Sequence, residues 1–182
     1  MNATGYVLQL VSRVSAAALQ LAAILITGCG SNAMPGTALG TFSIEASTTS
    51  NSCGDGVDAT SPWDFDVELS RDSSKLYWRK DGVTSSGTLS SSGQATITGG
   101  TSAEVVAADA GSTGCTMSRD DTITISIGTA STVTSGSGNL AYTFSVDSGS
   151  DCSSQLAANG GEYDKLPCDL NYSFTGTRTK AP

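Results

Sequence analysis

The sequence predicts an all-β domain, an antiparallel meander of about eight to ten strands. Three observations predict it. Apolar residues recur at every second position in run after run. Short turn-forming clusters separate the runs. Past residue 38, no stretch of helical length repeats its apolar residues at the 3.6 spacing of a helix.

The runs follow in order. Phe42, Ile44 and Ala46 alternate with Ser43 and Glu45. Trp63, Phe65, Val67 and Leu69 alternate with Asp64, Asp66, Glu68 and Ser70. Ile123, Ile125 and Ile127 alternate with Thr122, Thr124 and Ser126. Leu140, Tyr142, Phe144 and Val146 alternate with Ala141, Thr143 and Ser145. Leu170, Tyr172 and Phe174 alternate with Asn171, Ser173 and Thr175. A period of two buries one face of each strand. Residues 75–80 form a weaker run, with Leu76 and Trp78 on one face and Tyr77 and Arg79 on the other. Residues 87–90, 94–98 and 103–108 are further short strands. A single helical turn is the most that residues 153–158 allow.

Turn chemistry marks the boundaries: Asp72-Ser73-Ser74, Asp81-Gly82, Ser92-Gly93, Gly99-Gly100 and Ser135-Gly136-Ser137-Gly138. Asp-Gly and Gly-Gly accept the positive φ of tight hairpins. Links this short join antiparallel neighbours, because a parallel crossover needs a dozen residues or more. Such a meander must close or double over to bury its apolar face. Two architectures follow: an up-and-down barrel of lipocalin-like shape, slightly favoured by the short links, or a two-layer β-sandwich. Residues 46–62 could supply the long crossing connection that a sandwich needs.

Composition narrows the function. The 182 residues carry 17 acidic and 9 basic side chains, for a formal net charge of -8. That balance argues against nucleic acid, which demands a basic face for its phosphates. It also argues against electrostatic docking on anionic lipid heads. The chain holds no histidine, and so lacks the commonest general base and metal ligand. No phosphate-cradling loop, nucleophile elbow or Cys-x-x-Cys pair is present, so no cofactor is expected.

Residues 14–26 are apolar, follow Arg13, and are too few to cross a bilayer, which takes about 20. Leu25-Ile26-Thr27-Gly28-Cys29 comes next. This resembles the lipobox of bacterial lipoproteins. The resemblance implies cleavage before Cys29, lipid on its thiol and acylation of the new amino terminus. Two or three acyl chains make a durable anchor where one does not. Gly30 in place of Asp after the cysteine leans towards the outer membrane. The expected organisation is a signal peptide over residues 1–28, a lipidated cysteine and flexible tether over 29–38, and a single β-domain over 39–182.

Four cysteines remain: Cys53, Cys115, Cys152 and Cys168. An even count in an exported domain reads as two disulfides. Of the three possible pairings, a local Cys152–Cys168 bond with Cys53–Cys115 closing a longer loop is favoured. Zinc would want paired Cys-x-x-Cys spacing, which is absent.

The groups left for chemistry are few. Asp64, Asp66 and Glu68 line one strand face, with i and i+2 neighbours about 6.5–7 Å apart. That suits an inverting glycosidase in distance, but an exposed face gives neither a cleft nor a raised pKa. Asp55, Asp58, Asp147 and Asp151 sit in Gly-containing loops that do not match the calcium loop. Arg119, Asp120 and Asp121 read as a hairpin tip at a strand start. Trp63, Tyr77, Trp78 and Tyr163 offer flat surface for a sugar or lipid, although Trp63 and Trp78 face inward by pattern. The outward rows of Thr and Ser, such as Thr122, Thr124 and Ser126, suit a glycan or simply a solvated sheet. The expectation is therefore a lipid-anchored envelope protein that binds a small apolar ligand, a glycan or a partner protein. The alternative is a packed interaction domain without a ligand. A carboxylate-based glycan hydrolase is a third reading and rests on the acidic stripe alone.

Overall fold

The structure is a computed structural model that describes residues 33–109, 111 and 113–182. The leader and Cys29 lie outside the described residues. Eight strands follow in sequence: β1 (Thr37–Asn51), β2 (Trp63–Asp72), β3 (Lys75–Lys80), β4 (Val83–Leu89), β5 (Gln94–Val106), β6 (Cys115–Ser126), β7 (Ser135–Val146) and β8 (Cys168–Lys180). Each pairs antiparallel with the next, and β8 returns to pair with β1, so the sheet closes as a barrel. This is the barrel of the two expected architectures. Among the described residues the helical content is two single turns, Ser153–Gln155 and Ala157–Asn159.

Strand direction alternates around a meander, so the connections fall at two ends. The hairpin links 73–74 and 90–93 lie at the base, with the 127–134 link and both chain ends of the barrel. The connections 52–62, 81–82, 107–114 and 147–167 lie at the opposite rim. The Asp81-Gly82 turn has φ of 51° and 81° at its two residues, the left-handed pair that lets Lys80 oppose Val83.

Alternation fills the lower barrel. Phe42, Ile44, Val67, Leu69, Leu76, Ile97, Ile125, Leu140 and Phe174 are buried in one cluster. Truncating one of the large aliphatic members to Ala costs about 2–5 kcal/mol, depending on how far the site collapses. Gly138 makes room for this packing. A Cβ there would meet the Thr124 carbonyl oxygen and lie 2.8 Å from Cζ of Phe174. On the outer face Ser70 is also buried, because its hydroxyl donates to the Pro35 carbonyl at 2.6 Å where the incoming chain crosses β2.

Some strand boundaries differ from expectation. Gly99-Gly100 is no turn: β5 runs through it and absorbs the short strand expected over 103–108. Ser135-Gly136-Ser137-Gly138 opens β7, where Gly136 and Gly138 pair with Gly176 and Phe174. Both segments sit beside long partner strands, and ladder pairing overrides the turn preference of glycine. β1 starts at Thr37 and runs to Asn51, which shortens the connection once suited to a sandwich crossing.

The disulfides are Cys53–Cys168 and Cys115–Cys152, with Cα atoms 4.9 and 4.7 Å apart. The expected Cys152–Cys168 and Cys53–Cys115 pairing is thus overturned. Barrel closure is the reason. It lays the end of β1 against the start of β8, with Asn51 opposite Leu170, and that brings Cys53 to Cys168. The chain leaving β7 stays beside β6, where Asp147 N–H donates to the Thr116 carbonyl and Asp151 N–H to the Gly114 carbonyl. Cys152 therefore meets Cys115. Both bonds staple long connections at the rim.

β4 and β5 pair only over their lower parts, Gly87 with Ile97, Thr88 with Thr96 and Leu89 with Ala95. Above that point the strands diverge. Val83 and Thr84 on one side, and β5 from Thr98 to its end on the other, are exposed. The barrel wall has a seam in its upper half.

Candidate functional site: an aromatic cup at the rim

The packed core stops short of the rim and leaves a cup of about 470 Å³. Trp63 and Phe65 of β2, Trp78 of β3, Ile123 of β6, and Leu140 and Tyr142 of β7 form its apolar wall. Val83, Ser85, Gly99, Gly100 and Thr101 border it at the seam, so the cup opens sideways as well as upward. A second lobe of about 310 Å³ lies beside it, under Val57, Asp58 and Thr60 of the 52–62 connection. Trp63, Arg119 and Tyr142 border both lobes.

The period-2 rule explains why aromatic rings gather here. Trp63 and Phe65 continue the inward row of Val67 and Leu69, and Tyr142 continues that of Leu140. The rings form a connected band. Tyr142 meets Tyr172 at 6.3 Å between centroids, Tyr172 meets Trp63 at 5.6 Å, and Trp63 meets Phe65 at 4.4 Å. Phe65 then meets Trp78 at 6.4 Å, and Trp78 meets Phe174 at 5.8 Å in the core. Tilted and edge-on pairs of this kind add about 0.5–1.5 kcal/mol each beyond their buried area.

Two charged pairs sit among these rings. Arg119 donates to Asp121 from Nε at 2.7 Å and from Nη2 at 2.9 Å, a two-pronged bond on the inner wall of β6. Its guanidinium carbon stands 4.9 Å from the Tyr142 ring centroid. The Asp121 bond, opposed by desolvation, raises the arginine pKa further above its ordinary value. Tyr142 is pushed up to about 12, first by burial of its hydroxyl and then by the negative charge of Asp121. At the β3–β4 turn Lys80 pairs with Asp81, and its ammonium lies 5.5 and 5.4 Å from the Trp63 and Phe65 ring centroids. The two cations and two carboxylates leave the cup lining neutral.

Arg119 and Asp121 are therefore not a hairpin tip, as their sequence had suggested. β6 starts at Cys115, and both residues keep the inward parity of Met117 and Ile123. Extending the isoleucine alternation upstream would have found them. Lys80 was also missed, and its signal is the same parity carried on from Leu76 and Trp78.

The other candidates fall elsewhere. Asp64, Asp66 and Glu68 are exposed on the outer face of β2, where Glu68 pairs with Arg79 across to β3. Asp147 accepts hydrogen bonds from the hydroxyls of Ser102 and Ser118, which lower its pKa. Asp151 accepts from the Ser153 backbone N–H at 3.0 Å and is likewise lowered. Among the described residues no three acidic or cysteine side chains converge to hold a metal ion. Tyr163 packs on Phe144 next to the Cys115–Cys152 bond rather than in the cup. Tyr77 pairs with Ser70 and Ser86 on the outer face. Thr124 and Ser126 are exposed on the outer face of β6.

Compared with known proteins, the chain matches no family model, no curated sequence and no solved structure.

Proposed function

We propose that the protein is a lipid-anchored envelope module that holds a small molecule in the rim cup. The observation that carries this reading is the division of the barrel interior. The lower half is packed with buried side chains, while the upper half is a concave, aromatic-walled space with a few convergent polar groups. Ligand sites combine those features.

The anchor rests on the Leu25-Ile26-Thr27-Gly28-Cys29 resemblance. β1 begins at the base of the barrel. A chain tethered through Cys29 joins the barrel at the end opposite the cup. Localisation at the outer membrane is part of the same proposal and rests on Gly30 in place of Asp after the cysteine, within the lipoprotein resemblance.

Native mass spectrometry of the domain, exported to a periplasm and purified gently, tests the reading. A constant extra mass that leaves on denaturation supports a ligand-holding cup. A bare mass, less four hydrogens for the two disulfides, would instead favour the packed interaction domain.

A further inference from the structure

The chemistry of the cup narrows what it can hold, on the reading that it is a ligand site. Charge comes first. Lys80 and Arg119 would attract an anion, but Asp81 and Asp121 already neutralise them, and the whole chain carries -8. A cationic ligand fares no better, because at these rings it would meet the like charges of Lys80 and Arg119.

Desolvation comes second. Arg119 and Asp121 are 42% and 25% exposed, so water still reaches the donors and lone pairs that their mutual bond leaves over. A wholly apolar ligand would strip that water and offer nothing in return, at about 1–3 kcal/mol for each polar group left unpaired. A ligand with adjacent hydroxyls replaces the water with its own donors and acceptors. The Arg–Asp fork presents both kinds side by side, as a vicinal diol requires.

Shape comes third. Trp63 and Tyr142 border both lobes, and the seam between β4 and β5 opens the cup laterally at Gly99 and Gly100. A Cβ at Gly99 would meet nothing within 4 Å. A molecule longer than the cup can leave through that gap without unpairing a strand. The Lys80 stem is flexible enough to turn aside from the rings.

We propose that the cup binds the end of a neutral glycan, with a sugar ring against Trp63, vicinal hydroxyls on the Arg119–Asp121 fork, and the rest of the chain leaving by the β4–β5 seam. Calorimetric titration of the exported domain tests this with neutral hexasaccharides of glucose, mannose and N-acetylglucosamine. Hexagalacturonate serves as the acidic counterpart and a neutral long-chain alcohol as the apolar one. A neutral hexasaccharide should bind best. Asp121→Asn, with the fold checked by circular dichroism, should weaken it about tenfold or more, the worth of one charge-assisted hydrogen bond. The same variant frees Arg119 and should raise affinity for the acidic oligomer, an inversion that mere loosening of the wall would not produce. Preference of the wild type for the acidic oligomer would overturn the proposal. Binding of the alcohol alone would also overturn it while leaving the ligand-holding cup intact. If no probe bound, the glycan assignment would fall, and native mass spectrometry would decide separately whether the cup holds anything.

Discussion

Arg119 and Asp121 stand two residues apart on the inner wall of β6, and the guanidinium reaches both carboxylate oxygens, at 2.7 and 2.9 Å. A charged pair inside a small barrel needs a reason, since the partly stripped ions recover their lost hydration only through good geometry. The two-pronged bond supplies the geometry, and the neighbouring Tyr142 ring covers the guanidinium face. The pair also sets the electrostatics of the cup.

Tyr142 reports on that field. Its pKa stands at about 12, raised by burial and by Asp121 and lowered by Arg119. The folded value lies above the ordinary one near 10, so its contribution to stability is full below pH 10 and is lost as pH rises towards 12. Spectroscopic titration of tyrosinate should show a late component that is missing in Tyr142→Phe. In Asp121→Asn the component should move down, because a negative neighbour has gone and Arg119 remains. An unmoved or rising component would contradict the assigned contact.

The disulfides are testable by connectivity and by stability. Peptide mapping without reduction should recover Cys53 linked to Cys168 and Cys115 linked to Cys152. Their sequence separations are 115 and 37. Loop-closure entropy puts the larger bond at about 5 kcal/mol and the smaller at about 4 kcal/mol, as upper values. Denaturant unfolding of the paired Cys53→Ser/Cys168→Ser and Cys115→Ser/Cys152→Ser variants should rank them in that order. Recovery of a Cys152–Cys168 peptide would refute the closure argument.

The seam should be visible in exchange. Amides of β5 above Ile97 lack a β4 partner, whereas Ala95 and Ile97 lie in the paired part. Hydrogen–deuterium exchange should show the alternate amides of residues 99–104 that face away from the β6 ladder losing protection well before those of residues 95–97, since unsupported edges open locally at lower cost. Equal protection along β5 would mean that the wall is closed in solution.

The anchor makes a prediction in cells. Cys29→Ser should move the protein from the membrane fraction to the soluble fraction without changing the melting temperature of the domain. Retention of the variant on membranes would refute lipid attachment at that residue.

Much of the fold was legible because one face of a barrel is dry. Phe42, Ile44, Val67, Leu69, Leu140, Tyr172 and Phe174 announce their inward positions by alternation alone, and Asp81-Gly82 announces its hairpin. What stayed hidden depends on closure or on exceptions to apolar patterning. The Cys53–Cys168 bond needs β1 and β8 to meet, which no local signal records. Gly99-Gly100 imitates a turn, yet the β6 ladder keeps it extended. Arg119 and Asp121 interrupt the apolar row of β6 because they line a space that is not filled. A polar break in an inward row marks the place where the core ends and the site begins.

Of the two tryptophans, Trp78 is buried against the core while Trp63 is half-buried at the cup wall, so the quenchable part of the tryptophan emission reads Trp63 and the cup. The most direct test compares acrylamide quenching of the domain as gently purified with the same protein unfolded, dialysed and refolded. If the cup holds its ligand, the purified form is quenched less and the stripped form more, and returning the dialysed material restores protection. Identical quenching in both forms, with the native fold regained, would contradict a ligand in the cup.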